Sequence, residues 1–380
     1  MEIEGCVHFP FAGTRRFDVS KMTTKTEPRY KEIVSWIRSG IEDGSLKSGD
    51  RLPTEMELAE RFGLSRQTVR HATGELVEAG VLTRVKGSGT YVGPSPLGRR
   101  EEYRNIAVIS TYVDSYIFPA ILKGIERTLG TRGYSTQVSF TDNKITHEAG
   151  ILKKLLAKDN IDGLIVEPSM SALPNPNIGY YKALRARGIP ILFFHACYPD
   201  VDGPLVGLND RGTAAKAVSM LAERGHRRIG CVGKLDDAQG LARYAGYLDG
   251  MATAGLGVEE MNTVWLDTWD VDHMEDAADR IFRRLEGCTA VVAYNDQVGV
   301  SLIRMALARG LRVPEDLAVV GVDDAPIASL CPVPLSTFAH PKEALGEKAA
   351  ANMLDMLSQP GFDGNYLFEA EAVIRESIGK

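Results

Sequence analysis

Residues Leu52 to Val92, LPTEMELAERFGLSRQTVRHATGELVEAGVLTRVKGSGTYV, constrain the fold more than any other stretch of the chain. They spell two capped helices, a tight turn and a glycine-tipped hairpin in unbroken succession. Thr54 stands at the N-cap of a helix running to about Phe62, with Leu58, Ala59 and Phe62 on its apolar face. Gly63 ends that helix, Leu64 turns inward, and Ser65 caps a second helix from Arg66 to about Ala79. In this second helix Val69, Ala72, Leu76 and Val77 follow helical spacing, which leaves Arg66, Gln67 and Arg70 outward at its amino-terminal end. Gly80 closes the helix, and the hairpin Val81 to Val92 carries Arg84 and Lys86 beside the tip Gly87-Ser88-Gly89. A helix whose first turn offers arginine and glutamine can reach base edges in a major groove, and a glycine tip lets backbone lie against a sugar-phosphate strand. The expected partner is double-stranded DNA.

Tyr30, Ile33, Val34, Ile37 and Ile41 mark an amphipathic helix that would complete a three-helix core, and Gly44 and Gly49 set up the approach to Leu52-Pro53. Residues 1–24 show no periodic pattern and are expected to be a disordered extension, with Met22 as an alternative start. The DNA-binding domain is placed at residues 25–93. Residues 94–104, rich in proline, glycine and charge with little to bury, read as a linker. The net charge of -6 divides unevenly: residues 25–104 hold 14 Lys and Arg against 12 Asp and Glu, whereas residues 105–380 hold 27 against 35. The acidic bulk therefore lies away from the basic groups expected to face DNA.

From Asn105 onward short β-branched runs alternate with helical segments. NIAVIS, TQVSF, GLIVE and IPILFF are separated by helices near Phe118 to Arg132, His147 to Lys158 and Ile178 to Arg187. The rhythm restarts with a helix near Ala214 to Arg224, then RIGCVG, a helix near Gly240 to Ala254, an Asp272 to Leu285 helix, AVVAY, an Asp296 to Arg309 helix and LAVVGV. Such alternation implies parallel sheets covered by helices on both faces, and two sets imply two lobes. In open parallel sheets ligands bind beyond the carboxyl ends of the strands. Here those ends bring Tyr112, Asp114 and Tyr116, then Glu167, His195, Asn295-Asp296 and Asp323-Asp324. A crevice lined by carboxylates, amides and aromatic rings, with a guanidinium such as Arg243, suits a sugar. Asp210, Asp296 and Asp324 have an ordinary alternative role as helix or turn caps, Trp269 could stack on a ligand or close a loop, and His273 reads as a solvated surface residue.

The head resembles the GntR family of winged-helix regulators, which implies DNA contacts from Ser65, Arg66, Gln67, Thr68 and Arg70 and a minor-groove role for Gly87 in the wing; Met56 stands where some members carry an arginine. Residues 105–380 resemble the LacI/GalR type of effector domain in the motifs NDRGTAAKAV, ERGHRRIGCVG, ARYAGYLDGM, YNDQVGVSLI, RVPEDLAVVGVDD and PLSTF. The resemblance implies a two-lobed periplasmic-binding-protein-like (type I) fold. It assigns lobe 1 to about 105–208 and 336–363, and lobe 2 to about 209–335 and 364–380, with three crossings as the hinge. It also implies effector contacts from Arg243, Asn295 and Asp323. Tyr112, Tyr116, Glu167, His195, Asp210 and Gln239 are further candidates, and His195 stands where other members offer Asp or Asn. The stretches TYVDSYIFPAILKGIE, NIDGLIVEPSMSALPNPNIGYY and HPKEALGEKAA are similar to the arabinose-responsive repressors that join these two modules, which implies L-arabinose as effector, a homodimer, and release from a pseudo-palindromic operator.

No cofactor or metal is expected, since Cys6, Cys197, Cys231, Cys288 and Cys331 show no ligand spacing. GntR-type heads can also be fused to aminotransferase-like bodies, but no lysine sits in a Schiff-base setting, and no GxSxG, HExxH or GxxxxGK[ST] motif occurs. A regulator rather than an enzyme is expected. No apolar run approaches the ~20 residues that span a bilayer, and the amino terminus lacks a basic segment followed by an apolar core, so residence in the cytoplasm is expected, without a membrane partner.

Overall fold

The computed structural model describes residues 29–42, 45–47, 49–78, 81–85, 87–93, 103–113, 116–158, 160–359 and 361–379. The readings made for residues 1–24, Gly44, Ala79, Gly80, Lys86 and Asp114, and for most of the 94–104 linker, fall outside them. The chain divides into two compact units between Arg100 and Glu101.

In the first unit α1 (Tyr30–Glu42), α2 (Glu55–Phe62) and α3 (Arg66–Glu78) are followed by the antiparallel hairpin of β1 (Leu82–Val85) and β2 (Gly89–Val92). Ile33 and Ile37 of α1, Leu58 of α2 and Val69, Ala72 and Leu76 of α3 meet Leu82 and Val92 of the hairpin in one core. The expected caps are formed. Thr54 and Glu57 make a capping box at the start of α2, and Gly63 ends it in the left-handed region at φ 61°. This is a winged helix-turn-helix.

The second unit holds two parallel sheets. The first lobe orders its strands β13-β7-β6-β5-β3-β4, with β3 (Asn105–Ser110), β4 (Ser135–Phe140), β5 (Gly163–Val166), β6 (Ile191–Phe194), β7 (Leu205–Leu208) and, from far down the chain, β13 (Tyr366–Phe368). Ile106, Val108, Ile165, Leu192 and Phe194 face α4 (Phe118–Gly130) and α13 (Lys342–Ser358). Their neighbours Ala107, Ile109, Leu164, Ile191 and Phe193 face α5 (Ile145–Lys158) and α6 (Ile178–Ala186). A strand buried on both faces has no polar side to display, so these runs read as continuous hydrophobic segments.

The second lobe orders β11-β10-β8-β9, from β8 (Ile229–Lys234), β9 (Thr263–Leu266), β10 (Ala290–Ala293) and β11 (Ala318–Val320). One face packs on α7 (Asp210–Glu223) and α8 (Ala238–Thr253). The other packs on α10 (Ala278–Arg284) and α11 (Asp296–Ala308). The strands β7 and β9 are absent from the reading of the sequence; each is four residues long and carries no distinctive flank. The helix expected from Asp272 to Leu285 begins only at Ala278, and a separate short helix precedes it. Asp267 caps a short α9 (Thr268–Asp272) through a reciprocal box with Asp270, and the chain breaks at His273, φ -129°, before α10 begins.

The lobe boundaries also move. The PLSTF segment does not enter lobe 1: β12 (Thr337–Phe338) pairs antiparallel with β14 (Ala372–Val373), and Ser336 and Ala339 bridge to Val320 and Asp323 of lobe 2. The crossing falls at His340-Pro341, after which α13 packs on α4. The return crossing lies not at 363/364 but beyond Phe368, because β13 pairs with β7 in the sheet of lobe 1. The short α12 (Pro326–Ser329) lies between β11 and β12.

Glycine sets the closeness of both main helix pairs. A Cβ at Gly124 of α4 would stand 2.3 Å from the Glu343 carbonyl oxygen, and one at Gly346 of α13 would stand 2.1 Å from that of Ile121. In lobe 2 a Cβ at Gly246 would stand 2.0 Å from the Arg211 carbonyl oxygen. In each case the obstacle is backbone, which cannot swing aside. Gly346→Ala is therefore expected to lower the unfolding free energy by about 1–3 kcal/mol or more through overpacking, read from the denaturant midpoint at unchanged slope.

Candidate DNA-reading surface and effector cavity

In the head, Arg66 and Gln67 are exposed on the first turn of α3, and their side chains make no hydrogen bond or ion pair among the described residues. Ser65 and Thr68, also expected to touch DNA, are engaged with each other. The Ser65 hydroxyl accepts from the Thr68 amide at 3.1 Å and lies 2.8 Å from the Thr68 hydroxyl, so the pair fixes the start of the helix. Arg70 lays its guanidinium on Glu55 through Nε and Nη2, at 3.2 and 2.9 Å to Oε2, and Arg84 of the wing reaches the same carboxylate at 3.3 Å. The hydrogen bond from Arg70, opposed by partial burial and helped by the charges of Arg70 and Arg84, holds the Glu55 carboxyl below the usual range. Helix α3 and the wing are thus tied through one residue of α2. Gly87 takes φ 78° at the wing tip, a conformation that favours glycine, and Lys86 lies outside the described residues. Met56 is exposed on α2.

All nine effector candidates line one cavity of about 160 Å³ between the two lobes. Lobe 1 contributes Tyr112 and Tyr116 after β3, Glu167 after β5 and His195 after β6. Lobe 2 contributes Asp210 from the first turn of α7, Gln239 and Arg243 from α8, Asn295 after β10 and Asp323 after β11. The strand ends and the helix starts that follow them therefore converge, as the parallel topology requires.

Arg243 is the centre of the lobe 2 wall. Its Nε donates to Asp210 Oδ1 at 2.7 Å, its Nη1 to the Tyr294 carbonyl at 2.5 Å, and its Nη2 stands 3.6 Å from Asp323 Oδ1. Burial opposes its charge, but Asp210 and Asp323 push its pKa above the ordinary arginine value. Asp210 is raised by the same burial despite the guanidinium beside it. The capping alternative goes to its neighbour, since Asn209 is the N-cap of α7 and accepts from the Gly212 amide. Asn295 combines two roles in one side chain: Oδ1 caps α11 at the Val298 amide, 3.0 Å away, while the residue faces the cavity.

In lobe 1 Glu167 Oε2 accepts from the Thr111 amide at 2.8 Å and the Thr111 hydroxyl at 2.5 Å, and Oε1 lies 2.8 Å from His195 Nδ1. Burial would raise this carboxyl, but His195 and Thr111 together hold it below the usual range. Asp296 behaves oppositely. Burial and the nearby Asp323 push it up to about 8, although Thr337 and the Ala325 amide donate to it.

Several lining residues were not singled out from the sequence: Asn143, Lys234, Asp237, Thr268, Tyr294 and His340. Lys234 Nζ donates to Asp237 Oδ2 at 2.5 Å and stands 3.0 Å from Asp236, whose charges outweigh burial and raise its pKa. The Tyr294 hydroxyl donates to the same Asp237 oxygen at 3.0 Å. Lys234 and Tyr294 follow the rule of polar groups at strand ends and were findable by it.

The lobes are closed over this cavity by direct bonds. Tyr116 of lobe 1 donates to Asp323 Oδ2 at 2.5 Å and its hydroxyl accepts from the Asp296 amide at 3.1 Å. Asn143 donates to Thr268 Oγ1 at 2.8 Å, and Ser171 Oγ accepts from the Ala238 amide at 2.9 Å. Trp269 does not line the cavity; it is exposed and stacks on half-buried His273 with ring centroids 3.8 Å apart.

Residues 29–92 match the bacterial regulatory proteins of the gntR family, and residues 218–378 match the periplasmic binding protein-like domain. In fold, the chain is similar to the transcription regulator CcpA of Lactococcus lactis, with a TM-score of 0.65 and 21% identity over 73% of this chain and 99% of that one. Over nearly its whole length it is similar to the arabinose metabolism transcriptional repressor of Geobacillus stearothermophilus, at 35% identity over 94% of this chain and 99% of the relative. The repressor of the same name from Halalkalibacterium halodurans is 32% identical over 93% of this chain and 97% of the relative. A gntR-type head, a closed two-lobed body and relatives that share both modules from end to end agree: the chain belongs to the family of arabinose metabolism transcriptional repressors.

Proposed function

We propose that this protein is a DNA-binding repressor of carbohydrate-use genes, without catalytic activity, that leaves its operator when L-arabinose occupies the cavity between the lobes. The observation that carries the effector reading is the chemistry of that cavity. Glu167, Asp210, Asp237, Asp272 and Asp323 face Lys234 and Arg243, an acidic excess that disfavours phosphorylated or carboxylated sugars. Both cations already hold carboxylates, and the side walls mix Tyr112, Phe118 and Tyr294 with amides and hydroxyls. A neutral polyhydroxylated ring meets these demands, since every hydroxyl can both donate and accept while its CH face covers an aromatic ring.

Operator recognition by a homodimer supplies the response. Each head reads one half-site weakly, and two heads at a fixed separation bind far more tightly because the second contact is intramolecular. A sugar that favours one setting of the lobes changes that separation, and it does so only to the extent that it binds the two settings differently.

Titration calorimetry of the purified chain with L-arabinose, D-xylose, D-ribose and D-galactose tests the effector. Binding is expected for L-arabinose and is expected to be lost in Arg243→Ala, which also leaves Asp210 and Asp323 buried without their cation. Preference for another of these sugars would overturn the arabinose assignment. On the DNA side, Arg66→Ala is expected to weaken operator binding by about 1–3 kcal/mol while leaving random-sequence binding nearly unchanged. An equal loss on both duplexes in an anisotropy titration would reassign Arg66 to a phosphate contact.

A further inference from the structure

Three buried polar atoms on residues of the cavity wall have no hydrogen-bond partner among the described residues: His195 Nε2, His340 Nδ1 and Asp323 Oδ1, the last only in ion-pair range of Arg243 at 3.6 Å. They come from three different parts of the fold. His195 belongs to lobe 1 and Asp323 to lobe 2, whereas His340 stands in the crossing, between β12 on one lobe and α13 on the other. Its ring is only 5% exposed and meets that of His195 edge to face, with centroids 5.1 Å apart. Unpaired polar groups this deeply buried are uncommon in folded proteins, and where three converge on one cavity they mark where a ligand supplies the missing partners.

The backbone around His340 is tied to the strained part of the site. The His340 amide donates to the Asp323 carbonyl at 3.3 Å. Two residues on, Lys342 Nζ donates to the carbonyls of Asp323 at 2.6 Å, Asp324 at 3.0 Å and His340 at 3.3 Å. Asp323 and Asp324 both lie at positive φ, 115° and 49°, conformations that non-glycine residues hold only where their surroundings enforce them. The crossing, the His340 ring and the Asp323 carboxylate are therefore one mechanical unit. The partner of His195 is equally fixed: Nδ1 faces the Glu167 carboxylate, so in the neutral ring Nε2 is an acceptor turned to the cavity.

We propose that His340 is a ligand-contacting residue carried by the hinge itself, and that the sugar hydroxyl it takes couples occupancy of the cavity to the setting of the two lobes. The proposal rests on the sugar reading above and adds to it the residue through which binding is transmitted. A contact made from either lobe holds the sugar in any lobe arrangement that keeps that wall intact. A contact made from the crossing is satisfied only when the crossing backbone has one orientation, so it contributes a difference in affinity between states rather than affinity alone.

The test uses the full chain and an operator duplex, with operator affinity measured by anisotropy without sugar and with saturating sugar. The sugar is L-arabinose, or whichever of D-xylose, D-ribose and D-galactose the wild type binds. The readout is the ratio of the two affinities for each variant, with folding checked by thermal unfolding. Gln239→Ala, at a lining residue on α8, is expected to weaken sugar binding yet reach the wild-type ratio at saturation. His340→Leu is expected to reduce that ratio at least about fivefold at saturation. His340→Asn, whose amide stands near the position of Nδ1, is expected to recover most of it and remains informative if the leucine variant fails to fold. A wild-type ratio in His340→Leu, or equal losses in the leucine and asparagine variants, would overturn the role of His340 alone. Failure of the wild type to bind any of the four sugars would overturn the sugar reading and this proposal with it.

Discussion

A guanidinium removed from water is the fixed point of the effector unit. Arg243 cannot lie in the lobe 2 wall unless its charge and its donors are met there, and Asp210, Asp323 and the Tyr294 carbonyl meet them. Those partners come from the first turn of α7, the end of β11 and the end of β10, so one side chain gathers segments that span more than a hundred residues of sequence. The sugar-facing geometry follows. Asp323 gives one oxygen to Tyr116 and keeps the other, without a hydrogen bond among the described residues, beside the guanidinium, and Asn295 is set by the helix it caps. Removing the guanidinium would leave two buried carboxylates facing each other, which is why no neutral residue can take its place without rebuilding the wall.

Strain is concentrated around the same cavity, on both lobes. Tyr116, His195 and Asp323 all adopt positive φ, at 63°, 64° and 115°, and all line the cavity. Each such residue costs roughly 1–3 kcal/mol, a cost met elsewhere by packing. The packing is visible in the two sheets, whose inner strands are buried on both faces, and in the helix pairs that touch through glycine. A stiff body thus holds a few residues in conformations they would not choose, and those residues aim polar atoms at one point.

Much of this was legible before any coordinates. The caps of Thr54 and Gly63, the helices of the head and the ends of β3, β5, β6, β10 and β11 are written in local pattern, and Tyr112, Tyr116, Glu167, His195, Asn295 and Asp323 at those ends do gather at one cavity, whereas Asp296 and Asp324 do not line it. What was not legible depended on placement rather than on chemistry. His340 follows PLSTF, a segment whose sequence resemblance places it in lobe 1 and away from an edge of the crevice; only its pairing with β14 shows otherwise. Thr268 sits on the short α9, which the sequence pattern does not announce, and Asp237 looks in sequence like an ordinary turn acid until Lys234 and Tyr294 are seen to converge on it. In the head Ser65 caps its helix as expected, and its pairing with the Thr68 hydroxyl three residues on is a side-chain contact that local pattern does not announce.

The interleaving of the two lobes along the chain also bears on how the protein is made. The sheet of lobe 2 is complete once residue 320 has been synthesised, from strands close together in sequence. Lobe 1 cannot finish so early. Its outer strand β13 and the helix α13, which covers one face with Leu345, Ala349, Ala350 and Met353, are made more than a hundred residues after β7. Contacts of such long sequence separation form late, since the loop that joins them must be closed first. On a ribosome the amino-terminal lobe therefore waits with an apolar face uncovered while the lobe that follows it folds, which makes α13 both the last structural helix and the cover that ends the nascent chain's exposure to aggregation.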